Sequence, residues 1–303
     1  MDKKIKILIT GTNGMLGQSL IKFLPRSKFD LSGSYRNSAK LNQNKDNIKK
    51  VIFDITDKKS LENLKRSLNS VDLIMHCAAM TDPNECELDK NSAYQTNVLG
   101  TKNIVDLAKN FGAKLIYISS PMVFSGRTGD YKEDNRPNPV NYYAKTKYWG
   151  EKEALKYPRS LVVRVNPIGV RTSDKLPSFV QWFYGMAKNN KSFDLFSDVR
   201  INPLSTKTVV EILSQLALKF RKGVLHIGSR DVVNKSAICY LTVSKFSRFS
   251  GHINEKSVDR TKIGKVAKRP KEMWLNIDRA VSRKLPSPTW REEVELVFKE
   301  LES

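Results

Sequence analysis

The sequence predicts an α/β fold in which helices cover both faces of a doubly wound parallel sheet, followed by a smaller C-terminal lobe. Two observations support this fold class. Short apolar strands alternate with longer helical patterns through the first half, and a glycine-rich segment follows the first strand directly. Fully apolar strands alternating with helices are typical of a parallel sheet that is buried on both faces. The alternation loosens from about Pro167, so we expect a first domain at 1–166 and a smaller lobe at 167–303, with chain exchange between them.

Each predicted element rests on its hydrophobic period. The strands of the first half are Lys4–Thr10, Phe29–Ser34, Val51–Phe53, Val71–His76, Lys114–Ser119 and Leu161–Val165. Helical periodicity between them predicts Asp57–Leu68, Ala93–Asn110 and Tyr142–Lys156. In the smaller lobe we expect helices at Ser178–Lys188 and near Lys207–Lys219, a strand at Val224–Ile227 and a terminal helix from Arg291.

The composition excludes several classes of protein. None of the apolar runs in the 303 residues approaches the roughly 20 residues of a membrane span, so we expect a cytoplasmic protein with no membrane partner. The three cysteines show no Cys-x-x-Cys spacing and the three histidines lie far apart, so we expect neither a disulfide framework nor a metal site.

The net charge of +22 raises the question of a polyanionic partner. The basic residues are scattered among acidic ones, and the densest stretch, Lys256–Lys271, lacks the interleaved aromatic residues that stack on bases. The pattern therefore favours a solvated basic surface that suits anionic small ligands, and we expect no nucleic-acid partner.

The segment "ILITGTNGMLGQSLIKFL" carries three glycines between the first strand and an amphipathic helix. A dinucleotide pyrophosphate requires close backbone N–H groups, the positive end of a helix and no Cβ in the way. The alternative is a tight turn that merely needs glycines, but the strand before and the helix after favour a Rossmann-like cofactor site. The residues that we expect to contact the cofactor here are Gly11, Asn13, Gly14, Met15, Leu16 and Gly17.

The second strand ends in "LSGSYRN", where an NAD enzyme usually has an acidic residue for the ribose 2′-hydroxyl. This chain has Arg36 instead, which suits the 2′-phosphate of NADP. The sequence therefore favours NADPH, with NADH possible. The alternative is an ordinary exposed arginine.

A tyrosine stands four residues before a lysine at three places: Tyr143 with Lys147, Tyr148 with Lys152, and Tyr184 with Lys188. On a helix such a pair shares one face. A phenol beside an ammonium can donate or accept a proton near neutral pH. The spacing alone does not choose among the three pairs.

Several motifs in register resemble the extended, nucleotide-sugar branch of the short-chain dehydrogenase/reductases over nearly the whole chain. They are the Gly-x-x-Gly-x-x-Gly loop, "HCAAM", "NVLGT", "ISSPMVFSG" and "YAKTKYWGE". The resemblance implies that Asp54 binds the adenine and that a loop after the fourth strand lies beside the cofactor. The cofactor-binding residues that it adds to those named above are Asp54, Ile55, Cys77, Ala78, Ala79, Tyr143, Lys147 and Pro167.

The same resemblance selects Tyr143 as the proton donor, since it follows the "ISS" strand end at the spacing of that family. It implies that Lys147 lowers the pKa of the tyrosine and holds the nicotinamide ribose. It also implies that Ser120 hydrogen-bonds the carbonyl oxygen and that Asn97 supports a proton path through water. Tyr148 lies about 140° further around the helix and cannot face the same site.

Within this branch the chain resembles the dTDP-4-dehydrorhamnose reductases, on "FSDVRINPLSTKTVVEIL", "GVLHIGS" and "RPKEMWLNIDRA". The Asp-Glu pair of the 4,6-dehydratases is replaced by Pro121 and Met122. The resemblance therefore implies an NADPH-dependent reductase of a 4-keto-6-deoxysugar nucleotide, an oxidoreductase that acts on a nucleotide-diphosphate sugar. The expected substrate-binding residues are Met122, Val123 and Arg200.

The chain also departs from the pattern of those reductases, which typically read Ser-Thr-Asp-Tyr-Val-Phe where this chain has "SSPMVF". Two alternatives stay open. One is an epimerase or dehydrogenase of the same family. The other is a non-catalytic NADP-binding regulatory subunit, since one relative of the rhamnose reductases serves a methionine adenosyltransferase in that way. A homodimer also stays open.

Overall fold

The computed structural model describes residues 3–36, 48–171, 177–258 and 267–303. The chain divides into two compact units. The first comprises Met1–Ser120, Tyr142–Arg164 and Val210–Leu225, and the second comprises Pro121–Asn141, Val165–Val209 and His226–Ser303.

The first unit is built on a sheet of seven strands among the described residues. Its elements are β1 (Ile5–Thr10), α1 (Met15–Phe23), β2 (Phe29–Tyr35), β3 (Lys49–Ile52), α2 (Lys58–Ser67), β4 (Leu73–His76), α3 (Pro83–Leu88), α4 (Lys90–Tyr94), a π-helical segment (Gln95–Leu99), α5 (Gly100–Phe111), β5 (Lys114–Ser119), α6 (Tyr142–Leu155) and β6 (Ser160–Arg164). The sheet is completed by β11 (Gly223–His226). The Rossmann-like α/β fold is thus confirmed.

The strand order is β11-β6-β5-β4-β1-β2-β3, and β1 to β6 pair in parallel. The chain builds the sheet outward from β1 to β3, then returns to the other side of β1 with β4. In such sheets, ligands bind beyond the carboxyl ends of the strands where the order reverses. The strand order therefore predicts a ligand site at the carboxyl ends of β1 and β4.

The core of the first unit lies where the helices pack on the strands. Leu8, Ile74, Leu115 and Val162, from four neighbouring strands, have no exposed surface. Helices α2 and α5 add Leu61, Leu64, Ile104 and Leu107 to the same cluster. Both faces of the strands are covered, which explains why they read as nearly continuous apolar runs.

Two predicted elements differ from the structure. The strand predicted at Val224–Ile227 was expected in the smaller lobe, but β11 lies beside β6 at the edge of the central sheet. The assignment was wrong because a short apolar strand does not reveal its pairing partner. The helix predicted at Ala93–Asn110 is divided by the π-helical segment Gln95–Leu99. A π-helical turn has no composition or capping signal of its own, so a continuous helical pattern in the sequence does not show it.

The second unit has its own apolar core. Its elements are a 3₁₀ turn (Pro121–Val123), β7 (Pro167–Ile168), α7 (Phe179–Lys188), β8 (Phe193–Phe196), β9 (Arg200–Ile201), β10 (Leu204–Ser205), β12 (Val233–Asn234), α9 (Lys235–Val243), β13 (Ile253–Lys256), β14 (Glu272–Met273), α10 (Asp278–Ser282) and α11 (Trp290–Glu302). Helix α8 (Thr206–Leu218) has residues in both units. In the described part of the chain, no helix is long and apolar enough to cross a lipid bilayer.

Within the second unit, a buried carboxylate links the last helix to the residues at the start of α8. Glu293 of α11 accepts hydrogen bonds from the backbone N–H of Ser205 and from Thr208 Oγ1, the latter at 2.8 Å. Burial raises the pKa of Glu293. The hydrogen bonds satisfy a group that would otherwise be costly to bury.

Helix α6 packs unusually close to its neighbours in the first unit at Gly150. A Cβ at this position would meet Tyr117 Oη and would lie 2.6 Å from the backbone oxygen of Asn97. The absence of a side chain therefore lets α6 approach β5 and the π-helical segment. By contrast, a Cβ on Gly185, in the middle of α7, would meet no atom within 4 Å.

This difference gives a matched pair of substitutions. We expect Gly150→Ala to lower the free energy of unfolding by about 1–3 kcal/mol, because a backbone oxygen must move. Gly185→Ala should raise it by about 0.5–1 kcal/mol, because alanine favours a helix over glycine. Chemical denaturation of both variants measures the two changes. A Gly150→Ala protein as stable as the parent would contradict the close packing at Gly150.

Candidate active site

Backbone atoms lie close to the glycines of the loop after β1. Gly11 has a φ of +74°, and its carbonyl oxygen accepts a hydrogen bond of 2.9 Å from the N–H of Gly14. A Cβ on Gly11 would lie 2.6 Å from the backbone nitrogen of Ala78, and one on Gly17 would lie 2.8 Å from Thr12 Cα. The loop therefore has no room for side chains at these two positions.

This loop leaves the start of α1 open to a ligand. The helix begins at Met15 after Gly14, which provides no side-chain cap, and its first turn carries no acidic residue. The positive end of the helix dipole and the backbone N–H groups there suit an anion. Together with the backbone-walled cradle, these features fit a dinucleotide pyrophosphate. Asn13 and Met15 are half-buried beside the loop, and Leu16 is buried.

Arg36 and Asp54 lie near each other beyond the ends of β2 and β3. Their closest side-chain atoms, Nε and Oδ2, are 3.8 Å apart, and the Arg36 side chain is 73% exposed. Asp54 Oδ1 accepts hydrogen bonds of 2.8 Å from both the N–H and the hydroxyl of Thr56. The next residue, Ile55, is buried. Arg36 is thus held loosely and remains accessible to an anionic ligand.

The loop after β4 runs along the glycine loop. The N–H of Ala78 donates a hydrogen bond of 3.2 Å to Thr10 Oγ1 at the end of β1. Cys77, Ala78 and Ala79 are all half-buried. Burial raises the pKa of the Cys77 thiol to about 12, so the thiol stays protonated and uncharged.

Tyr143 and Lys147 lie one turn apart on α6, and both are buried. The Lys147 ammonium donates a hydrogen bond of 2.8 Å to the carbonyl oxygen of Ile118 and lies 4.2 Å from the centroid of the Tyr117 ring. Burial lowers the pKa of Lys147 to about 8, and the neighbouring Glu151 opposes that shift. The pair is therefore fixed at the carboxyl end of β5.

The two competing pairs have different surroundings. Lys152 is exposed, and its ammonium lies 4.7 Å from the centroid of the Tyr148 ring. Tyr184 belongs to the second unit, where it packs edge-on against Phe246 at 5.0 Å. Of the three pairs, Tyr143 with Lys147 is the one that contacts the end of β5.

The two serines at the end of β5 have separate surroundings. Ser119 Oγ donates a hydrogen bond of 2.5 Å to Glu151 Oε1 and is buried. Ser120, the next residue, is half-buried. Ser119 is thus bonded within the protein interior. The assignment of Ser120 to the substrate stays a prediction.

The Asn97 side chain connects the loop after β4 with α6. Its Nδ2 donates to the carbonyl oxygen of Met80 at 3.0 Å and to Thr146 Oγ1 at 2.9 Å, while its Oδ1 accepts from the N–H of Met80 at 2.8 Å. These bonds give Asn97 a structural role that the sequence did not show. Its part in a proton path through water stays a prediction.

The predicted substrate-binding residues and Pro167 belong to the second unit. Met122 packs against the apolar core of that unit, and Val123 is fully buried. Arg200 Nη1 lies 3.5 Å from Glu272 Oε2, with its side chain about half exposed. Pro167 pairs with Leu204 through β7 and β10.

Sequence reasoning missed a buried ion pair behind the site. Arg164 of β6 donates to Glu151 of α6 through Nε at 2.9 Å and through Nη2 at 2.7 Å. Glu151 was noted as part of the "YAKTKYWGE" motif, but nothing in the sequence identified Arg164 as its partner. A charged residue at the end of an otherwise apolar strand was the available signal.

Comparison with known proteins places the chain in a family. The family model of the RmlD substrate binding domain matches residues 5–303. The chain belongs to this family. The methionine adenosyltransferase 2 subunit beta of Rattus norvegicus is 29% identical over 280 residues, which cover 89% of this chain and 80% of the relative.

Solved structures of similar proteins share the fold. A hypothetical dTDP-4-dehydrorhamnose reductase from Sulfolobus tokodaii is 28% identical, with a TM-score of 0.78 and coverage of 94% of this chain and 96% of that chain. The dTDP-4-dehydrorhamnose reductase of Bacillus anthracis, whose structure is a complex with NADP, has a TM-score of 0.84 at 24% identity. The aligned region covers 98% of this chain and 100% of the Bacillus anthracis chain.

The depressed pKa of Lys147 predicts how stability depends on pH. The amine titrates at about 8 when folded and near its ordinary 10.5 when unfolded, so the unfolded state holds more protons between these values. The free energy of unfolding should therefore gain on the order of 3 kcal/mol from this residue as the pH rises from 8 to 10.5. Lys147→Met removes that gain.

Urea denaturation at pH 7, 9 and 10.5 measures the difference between Lys147→Met and the parent. We expect the variant to lose stability relative to the parent as the pH rises through this window. Lys152→Met, on the same helix but exposed, is the control and should show no such trend. Parallel pH dependence for the parent and Lys147→Met would contradict the shifted pKa.

Proposed function

We propose that this member of the RmlD family is an NADPH-dependent reductase of a 4-keto-6-deoxysugar nucleotide. The observation that carries the proposal is the Tyr143–Lys147 pair, which is buried at the carboxyl end of β5. The glycine loop opens at the carboxyl end of β1 in the same parallel sheet. A proton donor and a dinucleotide cradle at one edge of a sheet suit hydride transfer to a carbonyl group.

The residues that would hold the cofactor follow from the described geometry. The N–H groups at the start of α1 would bind the pyrophosphate, and Arg36 would bind the 2′-phosphate. Asp54 would bind the adenosine, and the loop from Cys77 to Ala79 would border the cofactor. When bound, NADPH supplies the hydride.

The chain's own side chains would handle the proton. Negative charge develops on the carbonyl oxygen during reduction, so a donor placed there lowers the barrier. Tyr143 donates its hydroxyl proton to that oxygen, and Ser120 donates a hydrogen bond to it. Lys147 is mostly an ammonium below its pKa of about 8 and stabilises the phenolate that Tyr143 leaves behind.

A nucleotide-diphosphate sugar is anionic, which suits the net charge of +22. Met122, Val123 and Arg200 are proposed to contact it; for Val123, which is fully buried, the contact would involve the backbone. We propose a cytoplasmic location and a homodimer as further parts of this function.

A second candidate is a non-catalytic, NADP-binding regulatory subunit. It is favoured by the relative from Rattus norvegicus, which is named a subunit of methionine adenosyltransferase. NADPH oxidation with a panel of 4-keto sugar nucleotides separates the two candidates. Turnover supports the reductase. Tight NADPH binding without turnover on any member of the panel would favour the regulatory subunit.

Removing one hydroxyl tests the proton donor. Tyr143→Phe should leave folding and NADPH binding nearly intact, because the ring remains. The hydride step should slow by roughly 10²–10⁴, the usual contribution of a positioned acid. Single-turnover oxidation of NADPH measures that step apart from product release. Tyr148→Phe is the control, and slow chemistry in that variant instead would refute the assignment.

A charge reversal tests the cofactor preference. Arg36→Asp should weaken NADPH binding by roughly tenfold or more, because it removes a charge-assisted hydrogen bond to the 2′-phosphate, while NADH binding should hold or improve. Fluorescence titration gives both dissociation constants. Lys28→Asp, exposed and placed before β2, makes the same change of net charge as the control. If the ratio of the dissociation constants for NADPH and NADH is the same in Arg36→Asp as in the parent, Arg36 does not bind the 2′-phosphate.

A further inference from the structure

A buried network of three side chains joins the elements that carry the candidate site. Ser119 ends β5, Arg164 ends β6, and the two residues are paired neighbours in the parallel sheet. Glu151 reaches them from α6 with one carboxylate. Its side chain is 1% exposed and that of Arg164 is 4% exposed, so the whole network is shielded from water.

The same stretch of β5 is held by α6 at two successive residues. Lys147 donates a hydrogen bond of 2.8 Å to the carbonyl oxygen of Ile118, and Glu151 accepts one of 2.5 Å from Ser119 Oγ. The lysine and the glutamate are one turn apart on α6, so both hydrogen bonds to the strand end come from one face of the helix. Ser120 follows directly in the chain, so its position relative to Tyr143 depends on these two hydrogen bonds.

A buried network of this kind is not by itself evidence of added stability. A buried ion pair often contributes no more than apolar residues of similar volume, because both charges must leave water. This ion pair joins α6 to the ends of β5 and β6 next to the Tyr143–Lys147 pair, so its clearest effect is on the geometry of that region.

From this geometry we propose that Glu151 is a positioning residue, which fixes the end of β5 against α6 and places its carboxylate one turn from the Lys147 ammonium on the same helix. This inference rests on the proposed function, since it concerns the same reduction. Glu151 itself touches neither the substrate nor the cofactor in this scheme and acts through Lys147 and Ser119.

The other titratable groups near Lys147 are uncharged around neutral pH. Burial, with help from Lys147, lowers the pKa of His76 to about 3, and burial raises the pKa of Cys77 to about 12. Burial also raises the pKa of Tyr117 well above its ordinary value. The Arg164 guanidinium is paired with Glu151, so the Glu151 carboxylate is the negative neighbour that opposes the loss of the Lys147 proton.

The first test replaces Glu151 by glutamine, which keeps the size and removes the charge. We expect the Lys147 amine to titrate at a pH lower by about one unit, since an opposite charge within a few ångströms shifts a pKa by about 1–3 units. NMR titration of the lysine side chains measures it without any ligand, and Lys147→Arg identifies the signal. Glu153→Gln, whose carboxylate pairs with Lys156 at 2.7 Å, is the matched control.

The same variants are then compared in single-turnover reduction. The alkaline limb of the rate profile should move to lower pH in Glu151→Gln and stay in place in Glu153→Gln. An unchanged Lys147 titration in a folded Glu151→Gln protein overturns the electrostatic part of the proposal. If the parent reduces no 4-keto sugar nucleotide, the proposed function fails, whereas the ligand-free titration still decides the role of Glu151.

Ser119→Ala provides a second test in case Glu151→Gln does not fold. It removes the hydrogen bond but leaves the Glu151–Arg164 ion pair intact. We expect kcat to fall roughly tenfold, the effect of one lost hydrogen bond, with the Lys147 titration and the KM for NADPH unchanged. A rate equal to that of the parent overturns the positioning part of the proposal.

Discussion

The contact between helix α6 and the end of strand β5 is the constraint on which the candidate site depends. Gly150 lets the helix approach, because a Cβ there would meet Tyr117 and the backbone of Asn97. At that short distance Lys147 reaches the carbonyl oxygen of Ile118. The close packing thus buries the ammonium while it donates to a backbone oxygen.

Burial then sets the chemistry of the groups on that face. The same low-dielectric surroundings lower the pKa of Lys147 to about 8 and that of His76 to about 3, and raise that of Cys77 to about 12. The neutral forms of His76 and Cys77 leave Lys147 and the ion pair of Glu151 with Arg164 as the charges of this region. A small number of charges in a low-dielectric environment interacts strongly, and the proton transfer proposed for Tyr143 would take place beside them.

The cofactor side of the unit depends on backbone rather than side chains. Gly11 and Gly17 bring the loop against Ala78 and against itself, and the start of α1 is left without a side-chain cap. Arg36, by contrast, is mostly exposed and lies 3.8 Å from Asp54. Under the proposed function, the general affinity for a dinucleotide would thus come from a closely packed backbone loop, and the choice between NADPH and NADH from an exposed surface side chain.

The sequence alone determined the α/β class, the bounds of most central strands and of the longer helices, and the glycine loop, because hydrophobic period and glycine spacing are local properties. It also named Tyr143 and Lys147, although choosing that pair needed the order of several motifs. Tertiary structure decided what depends on residues far apart in the chain: the pairing of β11 with β6, the Arg164–Glu151 ion pair, and the bonds of Asn97 to Met80 and Thr146. Such contacts leave no periodic signal, since each partner is set by how the strands and helices pack.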